Sequence, residues 1–242
     1  MIITEDEIWD RFNTVKPISI DAKWYERVYS LELSLQLRFT IGERLGLLAD
    51  KGWHGIKSLI EKYGLQPELI HATGLCHQIE AFDFLLKLLQ EENNPKINIV
   101  RALACWGAII PTVEIKKILR EDSIDMRLAG LNLLRFKSHL LNATEILELV
   151  EDLFDDFREE VVIEVIKILQ RRDEAKIIKC ISEVAINGTD STAETALVAL
   201  GSIGTEESIN ALSSLCRRLT KKTHRQMACK QISHQYQTIY MT

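Results

Sequence analysis

The run Ala193-Glu-Thr-Ala-Leu-Val-Ala-Leu-Gly-Ser-Ile-Gly-Thr-Glu-Glu-Ser-Ile-Asn-Ala-Leu212 decides the fold. Ala193, Ala196, Leu197 and Leu200 recur at spacings of three and four, which lines them up as one apolar stripe on a helix. Ile209, Leu212, Cys216 and Leu219 form the next stripe. Between the two lies Gly201-Ser202-Ile203-Gly204, too short for anything but a tight turn, so the stripes belong to the two arms of an αα-hairpin. Thr205, followed by Glu206 and Glu207, begins the second arm with negative charge against the positive end of the helix dipole.

The same plan recurs outward from this hairpin. Ile163, Ile166 and Leu169, then Ile177, Ile178 and Ile181, make another pair of stripes around Arg171-Arg172-Asp173. Laid against itself, the chain aligns Ala196–Ile203 with Ala102–Ile109 without a gap, and with Ala72–Ile79 more weakly. Ala129, Val165 and Ala228 take the same place in further copies, giving a period of about 30 residues. A small side chain at that place lets the neighbouring helix approach closely. Helix starts are marked by Thr4 to Glu7, Asn142 to Glu145 and Ser191 to Glu194, each with a capping side chain three residues before a Glu. Five to six hairpins fit between Leu65 and the C-terminus. Before Leu65 the pattern changes to a long helical stretch, roughly Trp24 to Leu48, and a second helix around Ile56 to Tyr63. Residues 1–64 therefore read as an irregular N-terminal cap or first repeat, and 65–242 as repeats continuous with it in a single domain, because a terminal repeat has one face with no neighbour to cover it.

Composition agrees with helices and excludes several functions. Of 242 residues only 4 are Pro and 11 Gly, so helix breakers are scarce. The net charge of −5 opposes bulk binding to DNA or RNA, which a basic face would favour. The N-terminal residues Met1-Ile2-Ile3-Thr4-Glu5-Asp6-Glu7 lack the basic and apolar regions of a secretory signal. The longest uncharged run, near Ala102 to Val113, is interrupted by Pro111 and falls short of the ~20 residues of a membrane span. Cys76, Cys105, Cys180, Cys216 and Cys229 are odd in number and form no C-x-x-C pair, as expected of reduced thiols in the cytoplasm.

The run from Ala193 to Leu212 resembles the short HEAT-like repeat of phycobilisome lyase subunits and their relatives, which pairs an Ala-Leu-Gly-x-Ile-Gly hinge with a second helix ending in leucines. Asn98-Ile-Val-Arg-Ala-Leu-Ala-Cys-Trp-Gly107 looks like a diverged second copy, with Arg101, and Arg127 in a further copy, where the repeat often carries arginine. The resemblance covers about two-thirds of the chain. It implies an α-solenoid and three uses: attachment of bilin chromophores to phycobiliprotein cysteines by paired subunits, chaperone-like or degradation-linked handling of those pigment proteins, and plain interaction scaffolding.

Candidate chemistry is sparse. His71, Cys76 and His77, and likewise Cys229 and His234, lack the three- or four-residue spacing that puts two metal ligands on one helix face. They read as core cysteines and surface histidines. No G-x-S-x-G elbow and no phosphate-cradling glycine loop occurs. Gly42-Glu-Arg-Leu-Gly46 has G-x-x-x-G spacing and in a charged helix reads as close packing or a kink, not as a membrane dimer motif. An acidic run holds Glu145, Glu148, Glu151, Asp152, Asp155, Asp156, Glu159 and Glu160; a basic run holds Arg217, Arg218, Lys221, Lys222, His224 and Arg225. Each reads either as a solvated helix face or as a patch that steers a complementary partner. Trp106 falls at an apolar repeat position and reads as core. Trp53 and His54, between Gly52 and Gly55, read as an exposed binding anchor at a helix start.

The expectation is thus an all-α solenoid of stacked antiparallel helix pairs, a curved superhelix of HEAT-like repeats. Its expected role is that of a cytoplasmic protein-interaction scaffold or chaperone-like module, its partners phycobiliproteins on the strength of the resemblance. The expected partner-binding residues are Trp53, His54, Arg217, Arg218, Lys221, Lys222 and Arg225. No catalytic residue, metal ligand or cofactor is assigned, apart from a transient bilin. A bilin lyase subunit is the enzymatic alternative, and a nucleic-acid-binding HEAT-like protein, such as a base-excision glycosylase, the second.

Overall fold

The computed structural model describes residues 3–16 and 19–240, with side chains through 235. Met1 and Ile2 of the N-terminal reading lie outside the described residues. Among the described residues there are helices and no strand, so the chain is all-α as its periodicity requires. It divides into two compact units, Met1–Ile110 and Pro111–Thr242.

The first unit holds α1 (Glu5–Thr14), α2 (Ala22–Val28), α3 (Leu35–Gly46), α4 (Asp50–Tyr63), α5 (Pro67–Leu75), α6 (Ile79–Gln90) and α7 (Lys96–Leu103). A 3-10 turn, Ala104–Ile109, closes it. Helices two apart in sequence pack together: α3 on α5, α5 on α7, and α2 on α4. Neighbours along the chain fold back on one another, so the unit is a stack of helix pairs, the α-solenoid plan. The close approach rests on small residues. A Cβ at Gly42 would lie 2.9 Å from the Glu68 carbonyl oxygen, one at Gly46 2.8 Å from that of Ala72, and one at Gly74 2.4 Å from that of Ala102. The G-x-x-x-G spacing of α3 is a packing seam, the first of its two sequence readings. A buried network crosses the same seam: the Glu68 carboxylate accepts a 2.7 Å hydrogen bond from the Tyr29 hydroxyl and pairs with Arg38 at 2.8 Å.

The second unit holds α8 (Thr112–Leu119), α9 (Ile124–Lys137), α10 (Ala143–Val150), α11 (Glu159–Leu169), α12 (Ala175–Asn187), α13 (Asp190–Ile203), α14 (Glu206–Arg218) and α15 (Lys222–Tyr240). One row runs α9, α11, α13, α15; the other pairs α8 with α10 and α12 with α14. Val165, Ala196 and Ala228, the small or branched residues of the aligned position, are fully buried. In α9 the neighbouring Gly130 takes this role: a Cβ there would meet Ile118 at 2.8 Å, while Ala129 is half-buried. The Gln235 amide of α15 donates to the Leu200 and Gly201 carbonyls at 3.1 and 2.7 Å, satisfying acceptors that the end of α13 leaves free.

Several local readings change. The stretch from Trp24 to Leu48 is broken into α2 and α3 by a turn at residues 31–32, and long-range bonds tie both ends of this link down. The Glu5 carboxylate accepts from the Ser34 backbone and hydroxyl at 2.5 and 2.9 Å, and the Tyr29 carbonyl accepts from the Tyr63 hydroxyl. Boxes form at Thr4 and Asn142, but α13 is capped by Thr189 and Ser191 lies inside it. Helix α13 also continues through Ser202 and Ile203, so the turn into α14 needs little more than Gly204, at φ 72°, and the capping Thr205. In the copy from Ala102 to Ile109 the α-helix stops at Leu103, and Gly107 adopts φ 60°.

Trp53 is a larger correction. It is 4% exposed, not an outward anchor. A Cβ at Gly52 would lie 2.0 Å from the Leu45 carbonyl oxygen, and one at Gly55 would meet Glu26, so α4 lies hard against α3 and α2 and carries Trp53 inward. Its indole N–H donates to Glu80 at 3.2 Å and its ring packs on Phe84. His54, one residue on, points outward.

Replacing Gly74 by Val forces a branched side chain into the Ala102 backbone, and overpacking of this kind costs about 1–3 kcal/mol. Urea denaturation of Gly74→Val is expected to show a loss in that range; a variant as stable as the parent would mean that α5 and α7 part there without cost.

Candidate functional site

A concavity of about 430 Å³ lies on the second unit between the segment 151–158, α11, α12 and the start of α13. Its wall is acidic: Glu151, Asp155, Asp156, Glu159 and Glu183 line it, and no Lys, Arg or His does. Apolar lining comes from Phe154, Val162 and Val184, and Phe157 stands at the rim with 88% of its surface exposed.

The wall is built from local rules. Asn142 caps α10, with its side chain accepting from the Glu145 N–H and Glu145 reaching back to the Asn142 N–H. Past Val150 the chain tightens into a 3-10 turn, Glu151–Asp155, and buries Leu153. The next residue holds the segment in place. The Asp156 carboxylate, fully enclosed, accepts from Arg158 Nε at 2.8 Å and Nη2 at 2.9 Å, from the Arg158 backbone at 3.0 Å, and from Arg127 Nη1 at 2.5 Å. Both arginines also reach the turn before α9: Arg127 donates to the Glu121 carbonyl and Arg158 to that of Asp122. With two cations on one carboxylate, Asp156 is spent structurally. Burial pushes its carboxyl up, but the hydrogen bonds from Arg158 and Arg127 together outweigh it and hold the pKa at about 2. Phe157 follows directly, so the clasp sets it at the rim, with the Arg158 guanidinium 4.8 Å from its ring centre.

Burial raises the Cys180 thiol in the groove wall, which keeps it protonated and weakly nucleophilic near neutral pH. Among the described residues no group of three or more His, Cys, Asp or Glu side chains is placed to hold a metal ion. Carboxylates beside exposed phenyl rings suit Lys and Arg side chains, through ion pairing and cation–π contact.

The expected binding residues are dispersed. Trp53 is buried in the first unit and His54 is 75% exposed beside Asp50. Arg217, Arg218, Lys221, Lys222 and Arg225 are all exposed and gathered where α14 hands over to α15. That patch is partly neutralised: Lys221 pairs with Asp190, and His224, buried with the same run, lies 3.5 Å from the same carboxylate. Lysine 221 holds Asp190 below the usual carboxylate range. The acidic run was legible as a patch; the groove was not, since Phe154, Phe157, Cys180 and Glu183 come from separate elements. Phe157, an aromatic between Asp156 and Arg158, was the one local signal.

His71 is half-buried, with a Glu43 oxygen 3.8 Å away; Cys76 is buried and donates to the Thr73 carbonyl; and the His77 ring lies tilted against Trp106, which is buried as expected. No described helix is long and apolar enough to cross a membrane.

No family model matches this chain, and no curated protein matches it. Similar solved structures include human deoxyhypusine hydroxylase in complex with glycerol, at 14% identity over 88% of this chain and 84% of that one, TM-score 0.43. An engineered protein is similar at 14% identity over 90% and 97%, TM-score 0.42, and a designed armadillo repeat protein at 16% over 88% and 99%, TM-score 0.40. Likeness at this level carries no argument about function; the chain's place among helical repeat proteins rests on its own stacked helix pairs.

Proposed function

We propose that the protein is an interaction module that holds a Lys- or Arg-bearing segment of a partner protein in the groove of its second unit. The acid-lined groove with Phe157 at its rim carries this reading. A stacked-helix surface is preorganised, so the partner supplies most of the ordering cost. The sign of the groove also opposes a phosphate backbone. The resemblance of the run from Ala193 to Leu212 to phycobilisome lyase repeats makes phycobiliproteins the partners to try first, and bilin attachment the reaction to watch for.

A fluorescein-labelled peptide alternating Lys or Arg with small residues serves as probe, read by anisotropy. Binding is expected to weaken as salt rises, because rim charges are screened over about 10 Å at 0.1 M salt. Phe157→Ala and the pair Asp155→Lys with Glu159→Lys are each expected to weaken it at least about tenfold, the loss of roughly 1.4 kcal/mol. Equal binding by all variants would sink the groove as the site. Mixing with a phycobiliprotein and free bilin adds a second readout: a new absorption band supports the lyase alternative, and an unchanged spectrum leaves interaction alone.

The groove's own clasp predicts a pH dependence. Since the folded Asp156 carboxyl titrates at about 2, against about 3.9 unfolded, its contribution is complete above pH ~4 and lost as pH falls from there toward 2. Asp156→Asn is expected to cost about 2 kcal/mol near neutral pH in urea denaturation, with the gap to the parent closing over that acid range. A gap independent of pH would show that the carboxylate's charge is not what holds the segment.

A further inference from the structure

Cys216 and Cys229 stand 13 residues apart and share no motif, yet their sulfurs lie 3.1 Å from each other, one on α14 and the other on α15. A disulfide needs about 2.05 Å between sulfurs, so closure asks for a movement of about 1 Å at side chains that already converge. The remaining cysteines are placed otherwise: Cys76 is buried, and Cys105 and Cys180 are half-buried on other helices or turns. The two thiols also differ in access. Cys229 is exposed, whereas Cys216 is half-buried behind it.

We propose that Cys216 and Cys229 are a thiol pair oxidised to an intramolecular disulfide by low-molecular-weight disulfides such as oxidised glutathione. The Cys229 thiolate, formed by loss of its proton to water, attacks one sulfur of the external disulfide. A Cys229–glutathione bond forms, the external S–S bond breaks, and one glutathione thiolate leaves. Cys216 then gives its proton to solvent and attacks the Cys229 sulfur, expelling the second glutathione thiolate. Two protein thiols are oxidised and one external disulfide is reduced to two thiols. The order of attack follows access, and it agrees with the Cys216 thiol being pushed up to about 11, first by burial and then by its hydrogen bond with Cys229. The bridge joins α14 to α15 across the turn that carries Lys221, so it closes the last hairpin beside the basic cluster.

The test treats the full chain with oxidised glutathione, then alkylates it with N-ethylmaleimide under denaturing conditions for mass spectrometry. The expected result is loss of two of the five alkylation sites, no retained glutathione, and a crosslinked peptide pair containing Cys216 and Cys229. Cys216→Ser is expected to stop at one glutathione on Cys229, since the resolving thiol is gone. A bridge over so short a loop is also expected to raise Tm by roughly 5–10 °C in the oxidised parent. Five alkylated cysteines after oxidation, or a bridge to any other cysteine, would overturn the proposal. An unchanged Tm in the bridged protein would overturn the stapling of the hairpin.

Discussion

A carbonyl oxygen on one helix occupies the space where a side chain on the next would stand. In the first unit this happens along α3, α5 and α7, where Gly42, Gly46 and Gly74 present bare backbone to Glu68, Ala72 and Ala102. In the second unit, Gly130 makes room for the Ile118 and Leu119 side chains, and the alanines at 196 and 228 are fully buried. Helices this close leave no room for water between them, so their apolar stripes are buried wholesale and dispersion contacts become dense. The stacking order follows, since a helix with a small-residue seam can pair only with neighbours that reach that seam.

Tight stacking raises a second demand, the satisfaction of polar groups trapped in it. Glu68 is wholly enclosed; one carboxylate oxygen is met by the Tyr29 hydroxyl and the Arg38 guanidinium, while Oε2 is left buried without a partner among the described residues. Asp156 is enclosed too, between Arg127 and Arg158. Burial also raises the Tyr29 hydroxyl well above its ordinary range, with Glu68 adding to the effect, so that phenol remains a donor. In both networks one carboxylate organises a segment that has no helical pattern of its own. Glu68 draws in Tyr29 at the head of the link between α2 and α3, and Asp156 fixes the turn that fronts the acidic groove.

Charge on this molecule is therefore of two kinds. Asp156, Arg127 and Arg158 are consumed in structure, whereas Glu151, Asp155 and Glu159 line the groove. The basic run divides in the same way, with Lys221 tied to Asp190 and Arg217, Arg218, Lys222 and Arg225 on the surface. Patches of opposite sign on one module favour oriented capture of a partner and suppress wrong orientations.

The sequence by itself determined the helical class, the hairpin plan, the small-residue positions at 165, 196 and 228, the close spacing of Gly42 and Gly46, and the boxes at Thr4 and Asn142. These are written in local spacing, and a helix turns every 3.6 residues whatever surrounds it. Burial of Trp53 was hidden because it depends on Gly52 meeting the Leu45 backbone, a contact between two helices. The break between α2 and α3 was hidden because Glu5 and Tyr63, far along the chain, hold it open. Groove and thiol pair alike arise where separate elements converge: Phe157 beside Glu183, and Cys216 beside Cys229. Only the tertiary structure decided these, because distance across a stack is set by how closely helices pack and not by any period along one of them.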